Sequence, residues 1–282
     1  MYTLKVENER GEMLTLSNNK NYTIVNVEGL NPPLANITSS KITNFDGGKF
    51  NSTSLEMRNI IITLTPEYPV ETNRLAIYQM FRPKHDVTIY FKNGTRDVFI
   101  NGRVETCVGN PFSEKQEIQI SILCANPYFI DVNQLTLDFS STIKNFKFPV
   151  AFIEGGIPFS SVNRVSERCV TNLGDSECGV NIECEFIGDV VELKIYDASD
   201  LDYMLLNYEF HAGDVLHINT NKGNKSITLE RDGETLNIIN AFDKTSKWLQ
   251  LGIGENRFTF DCVYGKENVL MMLYANVLYM GV

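Results

Sequence analysis

The chain has 282 residues and a mass of 32.0 kDa, a length that fits two domains of about 100–150 residues each. Hydrophobic residues make up 43% and charged residues 21%, which is typical of a globular protein and unlike a disordered one. The net charge of −10 lies almost entirely in the second half, where residues 136–282 carry 12 Lys and Arg against 21 Asp and Glu. This acidic half argues against nucleic acid as a partner, because phosphates require clustered Lys and Arg.

Neither end of the sequence has the pattern of a targeting or membrane segment. Residues 1–10 carry both charge signs and no apolar core, so we expect no signal peptide. The longest apolar run, near residue 282, is interrupted by Asn276 and is shorter than the roughly 20 residues of a membrane helix. We therefore expect folding in a cytoplasm and no membrane partner.

The six cysteines are predicted to be free, structural thiols. Their spacing lacks the paired C-x2-C pattern of a zinc site, and a cytosolic chain of this length needs no disulfides. Free cysteine behaves as a small buried hydrophobe. The six are Cys107, Cys124, Cys169, Cys178, Cys184 and Cys262.

In the first half, β-branched and aromatic residues alternate with polar ones, which predicts strands joined by tight turns. The predicted strands are residues 2–6, 14–16, 22–27, 37–45, 57–65, 87–91, 96–101 and 116–124. One helix is predicted over residues 70–81. Glu71 lies in its first turn, Arg82 and Lys84 complement the dipole at its end, and Pro83 terminates it.

The second half contains short strands at closer intervals. Residues 215–220 alternate, a turn follows at 221–224, and 225–229 alternate again, which predicts a hairpin. A second hairpin is predicted from strands 248–251 and 257–261 around a turn at 252–256, and the apolar run 269–282 suggests a strand covered on both faces. This density of strands is typical of a β-sandwich or jelly roll.

Several short motifs in the second half resemble a known family. They are Ala212-Gly-Asp-Val-Leu, Ile218-Asn-Thr, Lys222-Gly, Ser246-Lys-Trp, Leu251-Gly-x-Gly-x-Asn256 and Tyr279-Met-Gly-Val282. In this order and spacing they resemble the C-terminal domain of the distal tail protein of tailed bacteriophages of Gram-positive hosts. The strand ending at Cys124, followed by Ala125-Asn-Pro-Tyr-Phe129, resembles the end of that family's N-terminal domain. Residues 162–186 match the family least, and we assign them no role.

The residues that carry the resemblance are expected to be structural. They are Asn126, Pro127, Tyr128, Phe129, Gly213, Asp214, Asn219, Thr220, Gly223, Trp248, Gly254, Asn256, Tyr279 and Gly281. The resemblance implies a mainly β protein of two β domains. Residues 1–135 would be an N-terminal, ring-forming β-sandwich with one helix and long hairpins. Residues 136–282 would be a C-terminal galectin-like or jelly-roll sandwich.

The resemblance implies a structural function, which is the formation of a ring. The family forms a ring of six subunits in the tail tip or baseplate of the virion, assembled in the bacterial cytoplasm. Its partners are further copies of itself (a homohexamer), the tail tube protein, the tail-associated baseplate hub protein and, in some cases, receptor-binding proteins. By analogy, hairpins around 37–45 and 87–100 would make the ring contacts.

The sequence offers little for catalysis, and we expect no enzyme, cofactor or metal. His211, Asp214 and His217 form the densest cluster, but a metal site needs further ligands, so a turn Asp beside two partly exposed histidines is the simpler interpretation. No nucleophile elbow or phosphate loop occurs, and Gly252-Ile-Gly254 is expected to be a turn between strands. Asp197, Asp200 and Asp202 are expected in an exposed polar loop.

The alternative function is a carbohydrate-binding module that contacts cell-wall glycans through the C-terminal domain. The chain has 12 Tyr, 17 Phe and one Trp, and such rings can stack on sugars. Most of them are expected to fill the two β cores. Trp248, beside Leu249 and Leu251, is also predicted to be core.

Overall fold

The structure, a computed structural model, describes residues 2–43, 46–113, 115–144, 160–164, 167–199 and 201–282. The chain divides into two compact units. Domain 1 consists of Met1–Asn133 together with Leu278–Val282, and domain 2 consists of Gln134–Val277. In sequence, domain 2 is therefore an insertion into domain 1. Residues 278–282, which the sequence analysis assigned to the second domain, belong to the first.

Domain 1 is built on one large antiparallel sheet and a single α-helix within the described residues. Its elements are β1 (Thr3–Asn8), β2 (Met13–Thr15), β3 (Tyr22–Glu28), β4 (Ala35–Lys41), β5 (Gly48–Leu55), β6 (Arg58–Pro66), α1 (Val70–Met80), β7 (Asp86–Lys92), β8 (Asp97–Gly109), β9 (Ile118–Cys124) and β10 (Phe129–Asp131). The strand order in the sheet is β2-β1-β7-β8-β9-β6-β3, and β10 pairs with β8.

Among its described residues, domain 2 contains two larger sheets and one separate pair of strands. Its strands are β11 (Leu135–Asp138), β12 (Ser140–Lys144), β13 (Ser160–Arg164), β14 (Glu167–Asn172), β15 (Cys178–Phe186), β16 (Val190–Asp197), β17 (Asp202–Phe210), β18 (Val215–Asn219), β19 (Ser226–Arg231), β20 (Glu234–Asn237), β21 (Gln250–Leu251), β22 (Gly254–Tyr264) and β23 (Val269–Ala275). One sheet runs β11-β23-β15-β18-β19-β20, with β21 beside β15, and the other runs β14-β22-β16-β17. β12 and β13 form a separate pair. The last strand of the chain, β24 (Leu278–Tyr279), pairs with β10 in domain 1.

Where apolar and polar residues alternate in the sequence, buried and more exposed side chains alternate along the strands. In β6 every second residue from Arg58 to Pro66 is buried, and in β18 Leu216 and Ile218 are buried while their neighbours are half-buried. Ile77, Met80 and Phe81 from the helical segment complete the core of domain 1. In domain 2, Phe186 of one sheet stacks on Phe210 of the other, with ring centroids 4.3 Å apart, so the two sheets pack face to face. The expected mainly β fold is confirmed, and the galectin-like assignment stays a prediction.

Three local expectations are wrong. The helix ends at Met80, so Arg82 and Lys84 lie beyond its last turn, because Phe81 leaves the helix to bury its ring in the core. The hairpin predicted from 248–251 and 257–261 does not form: β21 pairs with β15, and β22 pairs with β14 and β16 in the other sheet. The run 269–282 is not covered on both faces, since Met272 of β23 is exposed and the run ends in domain 1.

Some expectations fall on residues outside the described ranges. These are residues 44–45 of the predicted strand 37–45, and Asp200.

Candidate functional site

The Asn126–Phe129 motif forms a turn between β9 and β10. The side chain of Asn126 accepts a hydrogen bond from the backbone N–H of Tyr128 at 3.1 Å, which closes the turn. Phe129 then enters β10, and its ring is fully buried in the core. Pro127, which lacks an N–H, still offers its carbonyl oxygen, and that oxygen is the link to the rest of the site.

Arg58 is the centre of this site, and sequence reasoning missed it. Its guanidinium lies over the Phe129 ring at 4.6 Å, and the residue is only 3% exposed. It donates to four backbone carbonyls from three separate segments: Pro127 at 2.7 Å, Gly29 at 2.5 Å and Asn31 at 2.6 Å in one loop, and Met280 at 2.6 Å. The planar, multiply donating guanidinium suits this task, and an ammonium group would not. Burial lowers the pKa of Arg58 from the usual value for arginine.

The Tyr279-Met-Gly-Val282 motif is held in the same place. The Tyr279 hydroxyl donates to Asp131 at 3.1 Å, and the Arg96 guanidinium lies 4.3 Å from the centroid of the Tyr279 ring. Arg96 also donates to the carbonyl of Gly281. A Cβ at Gly281 would lie 3.1–3.2 Å from Pro32 and from the carbonyl of Leu30, so the close approach favours glycine.

We call this arrangement the clasp: Arg58 and Arg96 together with the segments 29–32, 126–131 and 278–282. It joins the two motifs that lie at opposite ends of the intervening domain 2 sequence. Because every contact in the clasp involves residues of domain 1, its role is to complete that domain.

In domain 2 the motif residues are buried polar side chains that hold turns. Asp214 is 2% exposed and accepts from Arg231 at 2.9 and 2.6 Å and from the backbone N–H of His211 at 2.8 Å. Burial alone would raise the pKa of Asp214, but the Arg231 guanidinium and the His211 N–H outweigh it and hold the pKa below its usual value. Gly213 in the same turn has φ +91°, which favours glycine. Asp214 is thus a turn residue, but a buried one.

The two histidines of this region have different partners. His211 contacts Asp189 at 2.9 Å, whereas His217 lies 3.4 Å from Glu230 and 3.8 Å from Glu183. Across the described residues, no three His, Cys, Asp or Glu side chains are arranged to hold a metal ion. The described ranges also contain no helix with the length and apolar content to cross a membrane.

The turn after β18 depends on Asn219 and Thr220. Thr220 is fully buried, and its hydroxyl accepts from the N–H of Val180 at 2.8 Å and donates to the carbonyl of Val180 at 3.1 Å. The Asn219 side chain accepts from the N–H of Asn221 at 2.9 Å, and Gly223 completes the turn at φ +85°. The predicted hairpin of β18 and β19 is confirmed.

Asn256 explains why the second predicted hairpin does not form. Its side chain accepts from the N–H of Gly252 at 2.8 Å and donates to the carbonyls of Gly252 and Gly254, each at 2.9 Å. Gly254 adopts φ +90°. The loop is therefore tied to itself by one buried amide, and the chain passes from β21 in one sheet to β22 in the other.

The aromatic and acidic expectations are partly wrong. Trp248 is half-buried, because its segment runs beside β17 and not inside the core. The indole ring stacks on the Phe242 ring with centroids 4.8 Å apart, and the Lys225 ammonium lies 5.3 Å from the centroid of the indole. Asp197, expected to be exposed, is 2% exposed and accepts from the N–H groups of Ser199 and Arg257. Asp202 is paired with Lys247 at 2.6 Å.

All six cysteines are free. The prediction of burial holds for Cys124, Cys178 and Cys184, while Cys107 and Cys262 are half-buried. It is wrong for Cys169, which is exposed on the edge strand β14. Burial raises the pKa of Cys124 and of Cys178 to about 11, so these thiols are unreactive at neutral pH.

The feature of domain 1 with the least internal support is a hairpin that we call the arm, formed by the strands β4 and β5. It forms a two-stranded sheet of its own, and every residue of β4 and all but the last of β5 are exposed. In the register, Ala35 faces Leu55, Ile37 faces Thr53 and Ser39 faces Phe50. These side chains share one face of the arm, whereas the other face carries Asn, Thr, Ser and Lys side chains. Ile37 is 54% and Phe50 72% exposed.

Comparison with known proteins identifies relatives of the fold. The family described as "Siphovirus-type tail component, C-terminal domain" matches residues 173–272. The crystal structure of the SPP1 Dit protein, "a Paradigm of Hub Adsorption Apparatus in Gram-positive Infecting Phages", aligns with 99% of this chain and 99% of its own, with a TM-score of 0.65 and 15% identity. A chain from the structure of the phage P2 baseplate in its activated conformation with Ca aligns with 98% of this chain and 98% of its own length, with a TM-score of 0.47 and 10% identity. No curated protein matches the chain.

Proposed function

We propose that this chain, whose residues 173–272 match the siphovirus-type tail component family, assembles into a ring, hexameric by analogy, at the tip of a phage tail. The family match supports a structural role in a virion tail or baseplate, and the fold likeness to SPP1 Dit extends over both domains. On this proposal domain 1 forms the ring and domain 2 projects from it. The ring joins the tail tube protein to the baseplate hub protein and carries receptor-binding proteins. The protein has no catalytic function.

The observation that carries the proposal is the arm. An isolated two-stranded hairpin is marginally stable in water, and covering an Ile or Phe side chain is worth roughly 1.5–3 kcal/mol. The arm nevertheless leaves Ile37 and Phe50 uncovered on one continuous face. Exposed apolar faces of this kind mark protein interfaces. The arm is therefore suited to contact a neighbouring copy.

The second hairpin that the sequence suggested for ring contacts is less suited. Strands β7 and β8 lie inside the sheet, between β1 and β9, so they have no free edge to offer. Their buried side chains belong to the core of domain 1. The ring contact is accordingly assigned to the arm alone.

The test is the mass of the purified protein in solution, measured by light scattering after size exclusion over a series of concentrations. Six copies of 32.0 kDa amount to 192 kDa, so we expect a species at that mass or a rise towards it. The variant Ile37→Ser with Phe50→Ser should shift the protein to monomer. A matched control, Asn36→Ser with Thr38→Ser, changes the polar face of the same strand and should behave as wild type.

A strict monomer at every concentration would contradict a ring that forms by itself, and equal masses for both variants would contradict the role of the arm. If the protein is a strict monomer, the alternative to test is glycan binding by domain 2, with substitution of residues such as Trp248.

A further inference from the structure

The arm differs from the other long hairpin of domain 1 in what holds it in place. Among the described strands, β4 and β5 pair only with each other, whereas β7 and β8 also pair with β1, β9 and β10. No residue of β4 or β5 belongs to the core of domain 1 as the described residues define it. Within the described ranges, no other helix or strand packs broadly against the arm. The arm therefore depends on its own pairing.

That pairing is weak by composition. Asn, Ser or Thr occupies four of the seven residues of β4 and four of the eight residues of β5, so few side chains carry apolar surface that the hairpin could bury. The register shifts between Thr38 and Ser39, which disrupts the ladder locally. Ser40 donates to Asn51 at 3.2 Å, but this side-chain pair is exposed. Such a hairpin has little to offset the conformational entropy lost when its backbone is ordered.

The hairpin of β7 and β8 shows that burial, and not the length of the pairing, distinguishes the two. Both hairpins have seven paired positions. In β7, however, Val87, Ile89 and Phe91 are buried in the core of domain 1, whereas every residue of β4 is exposed. We therefore expect the arm to open at a far lower free energy than β7 and β8, which can open only when the core does.

A permanently closed arm would also be a hazard to the free chain. It would present two unpaired strand edges together with the apolar side chains of Ile37 and Phe50 on one face. Edges of this kind pair indiscriminately with other chains. An arm that is open until it meets its proper neighbour does not present this template.

We propose that the arm is ordered by assembly: in the free chain it is mostly open, and contact with a neighbouring copy closes it into the hairpin of β4 and β5. The inference rests on the proposed ring and concerns how formation of the ring is controlled. Closing the arm is then part of the association equilibrium, so the apparent affinity is reduced by the fraction of arms that are closed beforehand.

The first measurement is hydrogen exchange by mass spectrometry on the full-length protein, at concentrations below and above the midpoint of association. In the free chain, amides of β4 and β5 should exchange within about tenfold of the rate of an unstructured peptide, and in the assembly at least about a hundredfold more slowly. Amides of β7 and β8 should be protected in both states, which provides the internal control. An arm as protected in the free chain as β7 and β8, or one that gains no protection in the assembly, would overturn the inference.

The second measurement changes the strand propensity of the arm and follows association by light scattering. Ser52 and Ser54 are exposed and lie opposite Thr38 and Asn36, on the face away from Ile37 and Phe50. Ser52→Gly with Ser54→Gly favours the open arm and should raise the midpoint concentration about fivefold or more. Ser52→Thr with Ser54→Thr favours the closed arm and should lower it about two- to threefold.

The two variants distinguish ordering on assembly from a direct contact. If the arm were already closed in the free chain, each pair of substitutions would act equally on the free and assembled states, and association would not change. If both pairs weakened association, the neighbour would contact Ser52 and Ser54 directly. Either result overturns the inference. The core of domain 1 does not include the arm, so the thermal transition of every variant should match that of wild type.

The outcomes also separate this inference from the proposed function. If wild type associates while its arm is protected in the free chain, the ring stands and the inference is wrong. If wild type remains a monomer at every concentration, the ring is wrong and the inference falls with it. Fast exchange of the arm in the free chain, slow exchange in the assembly and opposite effects of the Gly and Thr variants would support both.

Discussion

Replacing Arg58 with Met removes the centre of the clasp with little change in side-chain volume. The guanidinium donates to four carbonyls in segments 27 to 222 residues away. Hydrogen bonds from a charged donor contribute about 1.5 kcal/mol each at the low end, or about 6 kcal/mol for four. Burying the charge costs several kcal/mol, which Met does not incur. We expect a net loss of about 3 kcal/mol from the stability of domain 1.

The assay can assign this loss to one domain, because Trp248 is the only tryptophan and lies in domain 2. Tryptophan fluorescence therefore reports the unfolding of domain 2, whereas far-UV circular dichroism reports both domains, whose transitions need not coincide. A loss of about 3 kcal/mol in a domain of about 140 residues lowers the midpoint of its thermal transition by about 10 °C. The circular dichroism transition should split or shift, and the fluorescence transition should stay in place.

Two further variants sharpen the measurement. Arg58→Lys keeps the charge but cannot span four carbonyls, so it should lose about half as much stability. Arg103→Met removes an exposed arginine paired with Asp86 at 2.7 Å, and it should cost less than about 0.5 kcal/mol. Equal effects of Arg58→Met and Arg103→Met, or a fluorescence shift as large as that of the circular dichroism, would show that the clasp does not stabilise domain 1 as argued.

Two predictions concern domain 2 and use tryptophan fluorescence. Asp214→Asn should destabilise domain 2 by about 2 kcal/mol at pH 7. Because the folded pKa of Asp214 is lowered, its stabilising contribution is present above the unfolded pKa of about 3.9 and is lost as the pH falls through the folded value. The difference between wild type and Asp214→Asn in urea unfolding should therefore shrink below about pH 4, and a constant difference would contradict the role of Arg231. Gly179→Ala places a Cβ 2.5 Å from the Cα of Asn221 and should cost about 1–3 kcal/mol in the fluorescence transition. The control Gly94→Ala, in domain 1 and with nothing within 4 Å, should leave the circular dichroism transition near that of wild type.

The strands were predictable because burial follows residue type with period two. The strand predicted over 57–65 is β6, and the pairing of β18 with β19 follows from alternation around a turn rich in Asn and Gly. The family motifs were also readable from the sequence. The roles of the motif residues could not be read from the sequence. The partners of Asp214, Thr220 and Asn256 are mostly backbone groups, which every residue possesses.

For Arg58, the sequence could not reveal the hydrogen-bond partners, but it could have revealed that the side chain is buried. Its partners are carbonyls far away in sequence, and no residue type marks them. Its position in the strand was informative, however, since Arg58 has the same parity as Ile60 and Ile62 and so points into the core. A charged residue on the buried face of a strand requires partners, and that rule alone would have singled it out.

The clasp also explains how domain 2 can be inserted without disturbing domain 1. β10 and β24 pair directly, with Phe129 facing Tyr279 and Ile130 facing Leu278. The chain thus leaves domain 1 and returns to it on neighbouring strands, and the whole of domain 2 takes the place of a hairpin loop.

Replacing residues 132–276 with Asn-Gly should therefore give a domain 1 that folds by itself. Asp131 would be followed by a two-residue turn and then Val277, which continues the register of β10 and β24 through a connection that favours hairpins. The core residues of domain 1 and the arm are all retained. We expect a cooperative thermal transition, and association like that of the full chain if the arm makes the ring contact. A control that ends at Asp131 lacks Tyr279 and the carbonyl of Met280, so it should unfold at a lower temperature. Equal stability of the two proteins would mean that residues 277–282 do not complete the domain.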